Sequence, residues 1–189
     1  AWLLLPLLGV TPAQAQAGPR TWQQATQGMW GADTTGIAVS PDFANDNLVL
    51  VSTWRGIFRS TDSGLTWTHS TGIETAPEND AVRFSPNFAV DRTAFTWAAN
   101  QLYRSTDAGQ SWALYYTASA DINALALSPE FGSDHTAILG THGQGAYITT
   151  DGGVTWNPCN TGLTDSYILS AVFSPSYSSD LTIMIGTHG

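Results

Sequence analysis

Apolar residues along this chain come in short runs, alternating with polar neighbours or closed off by Gly, Pro, Asp and Ser. Residues 168–173 read I-L-S-A-V-F, an apolar β run that ends at Ser174-Pro175. The stretches 48–52 and 136–140 predict second strands, and 145–149 (G-A-Y-I-T) alternates as a third. A tight turn spelled by Asp and Gly then leads into a fourth strand carrying Thr-Trp. No window sustains the period of a helix, and Gly or Pro interrupts every few positions.

The pattern repeats. Trp22, Trp67, Trp112 and Trp156 are separated by 45, 45 and 44 residues. Before three of them stands one box: Ser60-Thr61-Asp62-Ser63-Gly64-Leu65-Thr66-Trp67, its copy from Ser105 to Trp112, and another from Thr149 to Trp156. A second motif recurs as Ser40-Pro41-Asp42-Phe43, Ser85-Pro86-Asn87-Phe88, Ser128-Pro129-Glu130-Phe131 and Ser174-Pro175-Ser176-Tyr177. Each copy is followed three residues later by Asp46, Asp91, Asp134 or Asp180. A period in the forties indicates a propeller or solenoid, and four strands per period make one propeller blade. The predicted fold class is therefore all-β: a partial β-propeller of four-stranded antiparallel blades over residues 18–189. It should hold three full blades and part of a fourth. Such an arc leaves apolar blade faces and strand edges open, so the chain is expected to be a piece of a longer propeller.

The box is explained by turn chemistry. Its Asp and leading Ser or Thr accept hydrogen bonds from nearby backbone N–H groups, and its Gly supplies positive φ. Trp is the apolar plug that one blade presses on the next. A calcium loop is the competing reading, but each box offers one carboxylate where calcium takes about 6–8 oxygens.

Residues 1–17 (A-W-L-L-L-P-L-L-G-V-T-P-A-Q-A-Q-A) carry no charge. The apolar run 2–10 is too short to span a bilayer, and two small-x-small sites follow it. This reads as a secretory signal peptide that lacks its basic start, and it predicts a secreted, extracellular or periplasmic protein. The 189 residues hold six Arg, no Lys and 15 acidic residues, for a net charge of −9. With no basic patch, nucleic-acid binding and attraction to anionic membranes are both disfavoured. One cysteine, Cys159, excludes an intrachain disulfide and a multi-Cys zinc site.

The S-x-D-x-G-x-T-W element resembles the Asp-box (BNR) repeat, matched at all three copies with only Ser/Thr exchange at its hydroxyl positions. With S-P-x-[FY]-x-x-D it covers essentially everything after residue 20. The chain is thus similar to a superfamily of sortilin-type receptor propellers, photosystem II stability factors, xyloglucanase-type glycoside hydrolases and sialidases. The resemblance implies a β-propeller and no single activity.

Alternating strand direction puts the boxes and Ser-Pro motifs on one rim. The turns between second and third strands, and the crossings between blades, lie on the other. Fourteen residues past each motif Ser stand Trp54, Ala99, His142 and His188. The candidate binding residues on that crossing rim are Trp54, Arg55, Asn100, Gln101, His142, Gln144 and His188. The crossings add Trp30, Asp33, Glu78, Asp80, Asp121 and Asp165. His142 and His188 share a repeat position, which suggests common ancestry of the repeats over a metal pair, since no third ligand is evident. Trp54 beside Arg55 could stack on a sugar or peptide, or pack on its own blade.

No catalytic residue, metal or cofactor is assigned. The sialidase resemblance calls for an Arg cluster and a Tyr–Glu pair, whereas Arg59 and Arg104 occupy equivalent repeat positions on third strands. The xyloglucanase resemblance calls for an Asp in an early second-to-third turn, where this chain has Thr53-Trp54-Arg55-Gly56. The expected function is a secreted, non-catalytic propeller binding a protein or carbohydrate ligand, as part of a larger exported or surface protein. The alternatives are an exported glycoside hydrolase and a periplasmic or lumenal assembly factor.

Overall fold

The structure, a computed structural model, describes residues 25–29, 33–73 and 81–189. The expected signal segment 1–17 and residues Trp22, Trp30, Glu78 and Asp80 lie outside the described residues.

Blade 1 runs β1 (Thr34–Val39), α1 (Phe43–Asp46), β2 (Val49–Thr53), β3 (Gly56–Ser60) and β4 (Thr68–His69). Blade 2 runs β5 (Val82–Phe84), α2 (Phe88–Asp91), β6 (Ala94–Ala98), β7 (Gln101–Ser105) and β8 (Ala113–Thr117). Blade 3 runs β9 (Ile122–Leu127), α3 (Phe131–Asp134), β10 (Ala137–Thr141), β11 (Ala146–Thr149) and β12 (Asn157–Pro158). The last unit has β13 (Ile168–Phe173), α4 (Tyr177–Asp180) and β14 (Ile183–Thr187). Three sheets have four strands in sequential antiparallel order and one has two. The first strands of successive units, β1, β5, β9 and β13, lie side by side, as the inner strands of a propeller do. The predicted partial propeller is what the chain forms.

The Ser-Pro motif is not a plain turn but one turn of helix, too short to show as a period in the sequence. Its Asp closes the helix on both sides. Ser40 Oγ donates to Asp46 Oδ2 at 2.7 Å, and Asp46 Oδ1 accepts from the Leu48 N–H at 3.0 Å. The same pair of bonds recurs at Asp91, Asp134 and Asp180. These bonds also explain why second strands begin one residue later than predicted. The N–H groups of Leu48 and Thr136 are committed to a carboxylate, so the sheet ladder starts at Val49 and Ala137.

A second correction concerns the fourth strand, which starts after Trp instead of including it. The backbone N–H of Trp67 donates to the carbonyl of Gln27, in the segment before blade 1, and that of Trp112 to the carbonyl of Thr71, at the exit of blade 1. The box of blade 2 is therefore stitched to blade 1 before its strand begins. The third strand of blade 3 likewise starts at Ala146, because the Gly145 N–H is taken by the Ser166 carbonyl.

The core lies between blade faces. Leu50 and Ile57 of blade 1 pack with Val82, Phe88, Ala94 and Trp112 of blade 2. Phe95, Trp97 and Leu102 meet Leu125, Phe131 and Leu139, and Ile138 meets Ile168 and Phe173. Trp67 and Trp112 are buried as expected, whereas Trp156 is half-buried against Tyr116 at a ring-centroid distance of 5.8 Å.

Candidate functional site on the crossing rim

The two rims differ in chemistry because they differ in how their polar groups are spent. On the box rim each carboxylate is consumed locally. Asp62 accepts from the Thr66 N–H, the Thr66 hydroxyl and Ser60 Oγ. These bonds hold its carboxyl at about 2, below the usual range. Bonds from Thr155 and Thr149 hold Asp151 low in the same way. Burial works to raise Asp107, but bonds from Ser111 and Ser105 outweigh it. Gly64, Gly109 and Gly153 have φ of 89, 80 and 96°, the left-handed conformation that this turn demands. A side chain so thoroughly bonded within its own loop keeps at most one lone pair, on its Oδ2, for a ligand.

The crossing rim carries the strand-two to strand-three turns. Its blade 1 turn is tied by Thr53, whose hydroxyl donates to the Gly56 carbonyl and accepts from the Arg55 N–H. His69 Nε2 donates to the Arg55 carbonyl at 2.6 Å. That bracing projects Trp54 outward, 59% exposed. On blade 2, Asn100 Nδ2 donates to the Ala118 carbonyl, while the Asn100 carbonyl accepts the Ala118 N–H. Gln101 Oε1 accepts from the Tyr103 hydroxyl at 2.8 Å. Both side chains brace their own blade.

The densest group forms where blade 3 meets the last unit. His142 packs edge-on against Tyr167 with centroids 4.7 Å apart, and His188 lies 6.3 Å from the same ring. The backbone sets this geometry. The His142 N–H donates to Asp121 and the His188 N–H to Tyr167, both to carbonyls. Asp165 then anchors the crossing: its carboxylate accepts the Tyr167 N–H at 2.9 Å and the Gly189 N–H at 3.0 Å. Those backbone bonds, with His188 nearby, hold its carboxyl below the usual range. Beside it opens a cavity of about 220 Å³ bordered by Gly145, Asn160, Leu163, Thr164, Asp165 and Ser166. Gln144 reaches this border through its backbone, whose carbonyl accepts from Asn160 Nδ2 at 3.5 Å.

Of the residues singled out from sequence, His142 and His188 come together on one ring, with Gln144 adjacent. Trp54 and Arg55 stand two blades away, and Asn100 and Gln101 stand on the blade between. Tyr167 was missed although it has counterparts: seven residues before each motif Ser stand Asp33, Glu78, Asp121 and Tyr167, and only the acidic members of that set were singled out. The usable signal was an aromatic two residues after an acidic residue, directly before a strand. Among the described residues no group of three or more His, Cys, Asp or Glu is placed to hold a metal.

Residues 147–158 match the BNR/Asp-box repeat, a segment holding the third box and parts of the two strands it joins. No curated protein matches the chain. Among solved structures it is similar to an ancestral GH74 enzyme, with TM-score 0.62 and 21% identity over 89% of this chain. It spans only 23% of that enzyme's length. The extracellular domain of a hybrid two-component system from B. thetaiotaomicron matches with TM-score 0.61 and 16% identity, over 88% of this chain and 21% of that one. YCF48, in a structure bound to a D1 peptide, matches with TM-score 0.55 and 15% identity, over 77% of this chain and 44% of that one. At these identities the likeness shows the fold, a β-propeller carrying an Asp-box repeat. No helix among the described residues is long and apolar enough to cross a membrane.

Proposed function

We propose that this chain is the ligand-binding arc of an exported, non-catalytic β-propeller that takes a protein or glycan on its crossing rim. The observation that carries this reading is the packing of His142 and His188 on Tyr167, beside Asp165 and its cavity. Tyr167 is 42% exposed, so part of its ring is available as an apolar contact while its hydroxyl stays polar. Imidazole, amide and backbone groups around it supply the few placed polar contacts that orient a ligand. Residues 1–17 serve as the export signal in this reading.

A hydrolase is the weaker reading for a chemical reason. A glycosidase acid needs a raised pKa and a second carboxylate about 5–9.5 Å away. Asp165 is pulled in the opposite direction by two backbone N–H groups, which suits an anchor and not a proton donor. Arrays of neutral and acidic glycans and of peptides, probed with the labelled chain, test the proposal. Capture on one class, lost in Tyr167→Ala, supports it; no capture on either, or release of reducing ends from the captured glycan, overturns it.

A further inference from the structure

A second cleft lies away from the crossing rim, between the outer strand of blade 1 and the box of blade 2. Its volume is about 390 Å³, within the range of ligand pockets of about 300–1,000 Å³. Arg59 on β3 borders it, and its Nε donates across the blade junction to the Ala108 carbonyl at 2.9 Å. Among the described residues the terminal nitrogens of Arg59 carry no hydrogen bond.

The next junction shows what closure looks like. Arg104 occupies the Arg59 position on β7, pairing with Ala113 as Arg59 pairs with Thr68. In blade 2 the register of β8 slips between Leu102 and Tyr103, so Tyr115 enters as an extra residue. The Arg104 guanidinium lies 5.2 Å from the Tyr115 ring and donates to its hydroxyl at 3.3 Å. Blade 1 has no such slip, and Ser70 follows His69 where Tyr115 follows Leu114. The Arg59 guanidinium is left facing open space.

The polar groups around that space specify what fits. Thr68 Oγ donates to the Arg59 carbonyl, Ser70 Oγ to the Gly109 carbonyl and Ser111 Oγ to Asp107. With their protons spent, these three hydroxyls offer a ligand only lone pairs. Asp107 Oδ1 is already taken by Ser105 Oγ and the Ser111 N–H, so Asp107 adds only the remaining lone pair of Oδ2, and Arg59 opposes it as a pure donor. A bare carboxylate or phosphate would meet Arg59 but abut four acceptor groups. A cation would suit the acceptors but abut Arg59. Vicinal hydroxyls donate and accept at once, and so satisfy both sets without adding charge. The geometry points to a binding site for a neutral saccharide in the cleft bounded by Arg59, Thr68, Ser70, Asp107 and Ser111, with His69, Thr71 and Gln110 also on its border.

Calorimetric titration of the full chain with cellotetraose, xylotetraose and mannotetraose tests the site, with trigalacturonate and trilysine as charged counterparts. At least one neutral saccharide should bind. Arg59→Gln should weaken it tenfold or more, Gln110→Ala severalfold, and Tyr167→Ala not at all. Gln110 is exposed, so its variant remains decisive if Arg59→Gln fails to fold. Binding of no neutral saccharide, tighter binding of either charged probe, or insensitivity to Gln110→Ala would overturn the site. Loss only in Tyr167→Ala would also overturn it, while leaving the crossing-rim proposal standing.

Discussion

The backbone N–H of Trp112 donates to the carbonyl of Thr71 at 2.9 Å, which joins the box of blade 2 to the exit segment of blade 1. Trp67 makes the same bond to Gln27 at 2.8 Å. The indole then fills the space behind that bond, so stitch and plug are one residue. Trp156 sits at the equivalent point of blade 3 but is only half-buried, facing a β8 lengthened by its extra residue.

Unequal burial predicts unequal cost. Trp112→Ala empties a site only 4% exposed and should lower stability by about 3–5 kcal/mol. Trp156→Ala should cost roughly 1–2 kcal/mol, because only part of its ring leaves contact with water on folding. Urea melts of both variants check this ordering, and equal midpoint shifts would contradict it.

The Ser-Pro motif yields a second test. Asp91→Ala strands Ser85 Oγ and the Thr93 N–H, both on buried residues. The loss should be about 1–3 kcal/mol. Asp91→Asn keeps one carbonyl acceptor and should lose less. Thermal melts that rank the two the other way would remove the motif from the stability argument.

Glycine positions separate backbone crowding from strain. A Cβ on Gly72, at φ 83°, would sit 2.0 Å from the Trp112 carbonyl oxygen. Gly72→Ala must therefore push blades 1 and 2 apart and should cost more than about 3 kcal/mol. Gly162, at φ 88°, has open space around it. There the alanine variant should cost only the left-handed penalty of about 1–2 kcal/mol. Chemical denaturation of the pair checks the difference.

The box carboxylates set the acid limb of stability. Asp62 has a folded value of about 2, below the unfolded value of about 3.9. Its stabilisation is therefore complete above about pH 4.5 and is lost as pH falls towards 2. Asp151 and Asp165, also held low, act in the same direction. Melting temperature should stay flat from pH 7 to about 4.5 and then fall. Asp62→Asn should shallow that fall, and an unchanged slope would exclude the box from it.

Local chemistry carried most of the fold. Trp spacing, the Asp-Gly turns and the Ser-Pro motifs depend on contacts within a few residues, so their repetition specified blades, hairpins and rims from the chain alone. The strand-two to strand-three turns, and with them Trp54, His142 and His188, followed by counting from each motif Ser. What counting could not supply was anything made between units. Tyr167 meets His142 and His188 because the crossing position that holds an acid in the other units (Asp33, Glu78, Asp121) holds an aromatic here, beside both turns. Trp156 differs from Trp112, and Arg59 from Arg104, because one residue entering β8 shifts what the neighbouring blade presents. A single-residue slip leaves the periodic pattern almost untouched, yet it re-aims a side chain across a junction; the sequence determined the blades, and the packing between them decided which clefts stayed open.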